Sequence, residues 1–213
     1  MGMQFDLFDT GGNEILNAES YAEFKKLLTE SNCERCGLSK SRNNIVVDRG
    51  NPESKILAIG EGPGENEDLQ GKAFVGRAGR LMDRLMEDFG IDTNRDMLIA
   101  NVVKCRAPAN RVPHAAEAEA CMPFLKRQME LVQPAIVLLL GATSLKHMDS
   151  SRKKFSMAEE AGTFFTIAEY PGLEFMVLYH PAAVLRNPNL DPKMREHIRR
   201  LCDRARELGV LGA

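Results

Sequence analysis

Apolar residues along the chain fall into short continuous runs, and longer amphipathic stretches separate them. Four runs carry the signature of buried strands: KILAIG (Lys55–Gly60), MLIANVV (Met97–Val103), AIVLLLG (Ala135–Gly141) and FMVLYH (Phe175–His180). Each is too short for a full helix and is rich in branched residues. Between them the apolar period lengthens to that of a helix. Ala78–Phe89 places Leu81, Leu85 and Phe89 on one face and stops at Gly90. Ala115–Val132 reads as a longer helix, with a kink expected at Pro123. A short helix is expected around ATSLKHM. The last stretch, Pro192–Leu208, is a basic amphipathic helix with Met194, Ile198, Leu201, Ala205 and Leu208 facing inward. Near the start, Ser20 and Glu23 fit a capping box ahead of YAEFKKLLTE.

Strands alternating with helices predict an α/β fold. The expected architecture is three-layer αβα around a central four-stranded, mostly parallel sheet. No repeat, low-complexity tract or interdomain linker interrupts the pattern. Residues 1–19 read as an N-terminal arm with Gly11-Gly12 as a flexible point, and residues 20–213 as one domain. In such folds ligands bind outside the carboxyl ends of the strands.

Composition adds mainly exclusions. Of 213 residues, 44% are hydrophobic and 27% charged, within the ordinary globular range. No run approaches the roughly 18 apolar residues of a membrane span. MGMQFDLFDTGGNEIL lacks a basic region followed by an apolar run, so no signal peptide is expected. A cytoplasmic location is the simplest expectation. A net charge of −2 excludes a global basic field, though not a local basic face.

Chemistry enters with the cysteines. Cys33 and Cys36 form a C-x-x-C pair, Cys105 follows the second strand and Cys121 lies on the next helix. Together they make a four-thiolate set suited to zinc or to an iron–sulfur cluster. Cys202, on the last helix, reads as a small core residue.

The strand ends are more unusual. GEGPGENED (Gly60–Asp68) and GKAFVGRAG (Gly71–Gly79) follow the first strand. Asn101 ends the second, which leads into KCRAPANR (Lys104–Arg111). HPAAVLRNP (His180–Pro188) closes the fourth. Each has an ordinary reading in isolation. Gly-Pro-Gly makes a tight turn, Asn101 is a satisfied strand residue, His180 is a cap and Phe74 packs in the core. Neither G-x-G-x-x-G nor a GK[ST] ending is present, so a nucleotide loop is not indicated. These sequences nevertheless converge on one edge of one sheet, and that edge is the expected binding site.

In order and interleaving with the cysteines, GEGPGENED, FVGRAG, NVVKCRAPANRVP and HPAAVLRNP resemble the motifs of the family 4 uracil-DNA glycosylases. These are the iron–sulfur members of the uracil-DNA glycosylase superfamily. The resemblance runs from about Leu27 to Pro188. It implies a uracil-DNA glycosylase-like fold and release of uracil from DNA, leaving an abasic site that starts base excision repair. It also implies a structural [4Fe–4S] cluster held by Cys33, Cys36, Cys105 and Cys121.

Residue by residue, the resemblance implies that Phe74 stacks on the flipped uracil and Asn101 reads its edge. His180 donates to O2, and Gly60 and Gly62 touch the base through their backbone. Glu61 contributes to catalysis by orienting water or stabilising a cationic sugar, or sits against uracil C5 and excludes the methyl of thymine. Gly62 occupies the position where the family 1 enzymes carry an Asp, so their general base does not carry over. Arg77, Lys104, Arg106, Arg111 and Arg186 are candidate phosphate contacts. Leu185 and Arg186 form a wedge that fills the gap left by the flipped base. Family members often carry Arg-Gly where this chain has Ala161-Gly162. The expected partner is uracil-containing DNA, single- or double-stranded, and the expected state is a monomer. The alternative is an iron–sulfur DNA-damage binding protein with the same pocket and weak chemistry.

Overall fold

The structure, a computed structural model, describes residues 10–211. Among them the helices are α1 (Thr10–Asn17), α2 (Tyr21–Glu30), α3 (Glu65–Gln70), α4 (Arg77–Glu87), α5 (Ala115–Val132), α6 (Ala142–Met148), α7 (Met157–Glu160), α8 (Pro181–Arg186) and α9 (Asp191–Glu207). The strands are β1 (Arg49–Gly50), β2 (Ile56–Gly60), β3 (Leu98–Asn101), β4 (Ile136–Leu140), β5 (Phe164–Phe165) and β6 (Glu174–Leu178). They form one sheet in the order β1-β3-β2-β4-β6-β5.

The four expected strands are its parallel centre, β3-β2-β4-β6. The sheet has six strands rather than four, because β1 and β5 add antiparallel edges. Each edge strand is two residues long, too short to leave a period in the sequence.

Successive residues of a strand point to opposite faces, and both faces are covered here. Leu57, Ile59, Val137, Leu139, Phe175 and Val177 pack with Phe24 and Leu28 of α2 and Phe124 and Leu125 of α5. Ile56, Ala58, Ile136, Leu138, Met176 and Leu178 pack with Met82 and Leu85 of α4 and Ile198 and Leu201 of α9. This is the predicted αβα sandwich. Its central strands are buried over their full length, which explains why they read as unbroken apolar runs.

Two local expectations need adjustment. Thr10–Asn17, read as part of an arm, is helical, with Ile15 and Ala18 buried in the core layer that contains α5. Residues 1–9, the rest of that reading, lie outside the described residues. The Ser20 cap forms, its Oγ accepting from the Glu23 N–H at 3.2 Å. The return bond reaches one residue further, from the Glu19 N–H to Glu23 Oε2 at 2.8 Å. Helix α5 continues from Ala115 to Val132 through Pro123.

The connectivity places the site. The chain leaves β2 for β3 on one side, then returns past β2 to β4 on the other. Loops after neighbouring β2 and β4 therefore diverge and open a crevice at their carboxyl ends.

Candidate functional site

A cavity of about 830 Å³ fills that crevice. Its floor comes from the ends of β2 and β4, through Glu61, Gly62 and Gly141–Thr143. One wall is Asn101 and the segment after β3. The other is Tyr179 and His180 with the start of α8.

Asn101 is 1% exposed, and neither its Nδ2 nor its Oδ1 has a hydrogen-bond partner. A buried amide without partners costs about 1–3 kcal/mol, so native folds retain very few. Its surroundings are built to leave it so. Gly60 lies beside Asn101 across the β2–β3 ladder. A Cβ on Gly60 would sit 2.5 Å from Asn101 Oδ1 and 2.7 Å from the Phe74 ring. Any side chain there would fill the gap between amide and ring.

Phe74 is 5% exposed and adopts a left-handed backbone with φ of 54°. For a bulky residue this conformation costs on the order of 1–3 kcal/mol and persists only under outside constraint. Constraint comes from both flanks. Glu67 of α3 accepts from the Gly76 N–H at 2.6 Å, and the Ala73 N–H bonds to Asp48 O at 3.3 Å. Gly79, inside α4, lets the Phe74 carbonyl pass, since a Cβ there would lie 1.8 Å from that oxygen. The FVGRAG sequence is thus a device for holding Phe74.

The Phe74 and His180 rings lie 5.7 Å apart between centroids, tilted by 41°. His180 caps α8, its Nδ1 accepting from the Ala182 N–H at 3.1 Å. With Nδ1 an acceptor, the neutral ring carries its proton on Nε2. Burial, reinforced by nearby Arg186, pushes the imidazole down to about 4, so the ring is neutral near pH 7. His180 therefore acts as both cap and fixed neutral donor. Glu61 is anchored by Thr143 of α6, whose Oγ1 donates to Glu61 Oε2.

The expected phosphate contacts divide. Arg77 and Arg186 are exposed and have no ion pair among the described residues. Arg106 bonds to Asn110 Oδ1 at 2.8 Å and approaches Glu65 at 3.4 Å. Arg111 grips Glu117 with both guanidinium nitrogens, at 2.7 and 2.8 Å, and holds that carboxyl down to about 2. Lys104 does not belong with them. It is 1% exposed, and its Nζ donates to Asn101 O at 2.9 Å and to Gln128 Oε1. Three residues past Asn101, its side chain turns inward and reaches back under the strand end. It cannot reach DNA from there.

Cys33, Cys36, Cys105 and Cys121 line one small pocket walled by Leu28, Ile45 and Phe124. All four are free thiols. Arg42 and Lys104 also line it. Arg42 donates to Cys33 O at 2.8 Å and lies 3.7 Å from Cys105 Sγ, while the Lys104 N–H points at Cys121 Sγ from 3.3 Å. Burial pushes the Cys105 thiol up to about 12 and the Cys121 thiol up to about 11. Among the described residues, no three Cys, His, Asp or Glu side chains gather closely enough to hold a metal ion.

Comparison with known proteins decides the family. The model of the uracil DNA glycosylase superfamily matches residues 47–203, most of the chain. The chain belongs to the uracil DNA glycosylase superfamily. It is 42% identical to the Type-4 uracil-DNA glycosylase of Saccharolobus solfataricus over 79% of this chain and 80% of that protein. The Type-4 enzyme of Sulfurisphaera tokodaii is 38% identical over 84% of this chain and 80% of its own length. That of Thermotoga maritima is 42% identical over 73% and 79%.

Within this superfamily member, Glu61, Gly62, Phe74, Asn101 and His180 line one cavity, and Gly60 lies against Asn101 and Phe74. Arg111 and Arg186 line its mouth, while Leu185 is 37% exposed beside Arg186. Thr143, Glu67 and Val112 were missed from sequence. Thr143 had a signal, since it follows the one central strand whose end carried no conspicuous motif. Glu67 lay in plain view inside GEGPGENED, but only the fold pairs it with Gly76. Ala161-Gly162, the departure from the usual Arg-Gly, packs beside β6. There the Gly162 N–H bonds to Val177 O, and a Cβ on Gly162 would strike the His197 ring at 2.3 Å.

Proposed function

We propose that this chain is a uracil-DNA glycosylase. It takes a flipped uracil into the cavity between β2 and β4 and hydrolyses the bond joining it to deoxyribose, leaving an abasic site. The Type-4 relatives are named for this activity. The observation that carries it furthest on this chain is the buried, unpartnered amide of Asn101 beside the Phe74 ring.

Uracil offers O4 as acceptor and N3–H as donor on adjacent atoms. An Asn amide offers the complementary pair. Cytosine presents the reverse pattern and would leave buried groups unpaired, a mismatch that discriminates by about 10⁴ or more. Phe74 supplies a flat apolar face for stacking. Gly60 and Gly62 line the base slot, and the absent Cβ at Gly60 is what leaves it open. A base inside a duplex cannot reach these groups, so the nucleotide must turn out of the stack.

As the glycosidic bond breaks, electrons move onto the uracil ring and negative charge grows at O2. The Nε2–H of neutral His180 is the donor for that oxygen. A donor fixed before the reaction needs no reorganisation, which makes such groups large catalytic contributors. Positive charge grows on the sugar. Glu61, held through one oxygen by Thr143, serves that cation or aligns the water that adds to the anomeric carbon. The runner-up, a binding protein with weak chemistry, is not favoured, since base reader, leaving-group donor and carboxylate are all present.

For DNA grip, Arg77 and Arg186 are the cations free to meet phosphates. Arg106 and Arg111 act from within their bonds to Asn110 and Glu117, and Leu185 serves as a wedge. Cys33, Cys36, Cys105 and Cys121 are proposed to hold a [4Fe–4S] cluster. Four cysteines lining one pocket match what such a cluster needs, one thiolate per iron. When bound, that group supplies a structural tie between the N-terminal segment, the turn after β3 and α5. Arg42 and Lys104 offset its negative charge. Reduced cysteines of this kind fit a cytosolic enzyme, and a monomer satisfies the site, which draws on one chain alone.

The test is uracil release from a uracil-containing oligonucleotide, read as strand cleavage after alkali. Wild type should cleave. His180→Asn should fall by about 10²–10³, while its amide oxygen still caps α8 and the melting temperature holds. Equal rates for the two proteins would remove His180 from the mechanism, and no release by wild type would remove the function.

A further inference from the structure

The two walls of the cavity each end in an exposed apolar side chain. Strands β3 and β6 are separated in the sheet by β2 and β4, so the segments that follow them stand on opposite sides of the mouth. On the β6 side the side chain is Leu185, 37% exposed. On the β3 side it is Val112, 58% exposed and part of the cavity lining.

One exposed valine means little by itself. Its support distinguishes this one. Arg111 forks onto Glu117 and also donates from Nη1 to Val112 O at 3.0 Å. Ala109 and Asn110 both take left-handed backbone conformations, with φ of 52° and 54°. Asn110 is held by Arg106, and Pro113, next in the chain, is buried. A strained, cross-braced loop therefore presents an apolar side chain outward at the rim of a polar-floored cavity. Strain of this kind concentrates at functional sites.

We propose that Val112 is a second DNA wedge. It presses on the base stack from the side opposite Leu185, so that the position vacated by the flipped uracil is held open by two apolar contacts. Apolar side chains placed against base steps are an established means of unstacking DNA. Val112 contacts the duplex rather than the uracil and is thus a positioning residue. The inference rests on the reading of the cavity as a uracil site, and deepens it.

Single-turnover uracil release on duplex and single-stranded oligonucleotides tests it. Unstacking is needed only in the duplex. Val112→Ala should slow release from duplex about tenfold and from single strand less than about twofold. Val112→Leu should restore the duplex rate. Adding Leu185→Ala should slow the duplex reaction further. Equal slowing of both substrates, or of neither, overturns the wedge. A second readout needs no bond cleavage. Duplex carrying a stable abasic analogue beside 2-aminopurine should brighten on binding wild type, and clearly less with Val112→Ala. Identical brightening overturns the proposal even if wild type releases no uracil, an outcome that would refute only the function reading.

Discussion

The base cavity and the cysteine pocket lie four residues apart on one segment, Asn101 to Cys105, yet they are built on opposite rules. The cavity leaves good hydrogen-bonding groups without partners. Asn101 is buried with both amide atoms idle, Phe74 is held in a costly conformation, and Gly60 and Gly79 lack the Cβ atoms that would collide with them. The cysteine pocket does the reverse. Its walls are largely apolar, and Arg42 and the Lys104 N–H already point at sulfur. In the function proposed above, the first region meets a visiting base and the second holds a resident cluster. Lys104 joins them, with its backbone toward Cys121 and its ammonium under the Asn101 carbonyl.

The contrast breaks first at Asn101. Replacing it with Leu keeps the volume and removes two unpartnered polar atoms. Uracil release should fall by a factor on the order of 10⁴. The melting temperature should hold or rise, because nothing in the folded protein satisfied those atoms. Thermal melts beside single-turnover rates decide this. A destabilised Asn101→Leu protein would show that the amide has a structural partner after all.

Cys121→Ser probes the other region. Serine keeps an acceptor for the Lys104 N–H but is a poor ligand for iron. The variant should lose the visible absorbance of a cluster and melt at lower temperature, since metal binding is coupled to folding. Activity per folded molecule should change far less than in Asn101→Leu. A loss as deep as that of Asn101→Leu in a still-folded protein would show that the two regions are not separable.

Much of this division was legible in the chain, and its limits are physical. Helices α2, α4, α5 and α9 and the four central strands were readable because their patterns are long or unbroken. Helices α3 and α8 are six residues each, follow the caps Gly64 and His180, and sit inside motifs whose residues drew attention for their chemistry. A six-residue segment carries less than two helical turns of pattern. The site residues were visible as strand-end oddities. Their condition was not. That Asn101 lacks partners, or that Phe74 is left-handed, depends on neighbours from β2, α3 and α4 that no spacing reveals. Lys104 misled because a lysine beside Arg106 in a DNA-facing motif suggests phosphate. Its fate was set by Gln128, 24 residues away on α5.

Lys104→Met tests that link. It leaves Asn101 O and Gln128 Oε1 without their donor, at a cost of about 1–3 kcal/mol. If the lysine also aligns the Asn101 backbone, release should slow about tenfold even well below the melting temperature, since small misplacements at a reacting site are costly. A lower melting temperature with unchanged rate per folded molecule would make Lys104 a support of the fold alone.

The smallest expected effect is an absence of change. His180 is neutral well below its ordinary value near 6.5, chiefly because its ring is withdrawn from water and secondly because Arg186 repels a second charge. Its Nε2–H donor is therefore available throughout pH 5–8, and kcat/KM should show no limb from this residue in that range. Only as pH falls through about 4 must Nδ1 take a proton, which removes the α8 cap. The linkage has a definite sign. Between about 4 and 6.5 the unfolded chain binds the proton and the folded chain does not, so this contribution is fully present above 6.5 and is lost as pH falls toward 4. A pH–rate profile with a midpoint near 6.5 that disappears in His180→Asn would show that the imidazolium is the working form. His180 would then be a charged group in a wet site, and the contrast between an unmet, preorganised cavity and a satisfied pocket would fail at its catalytic end.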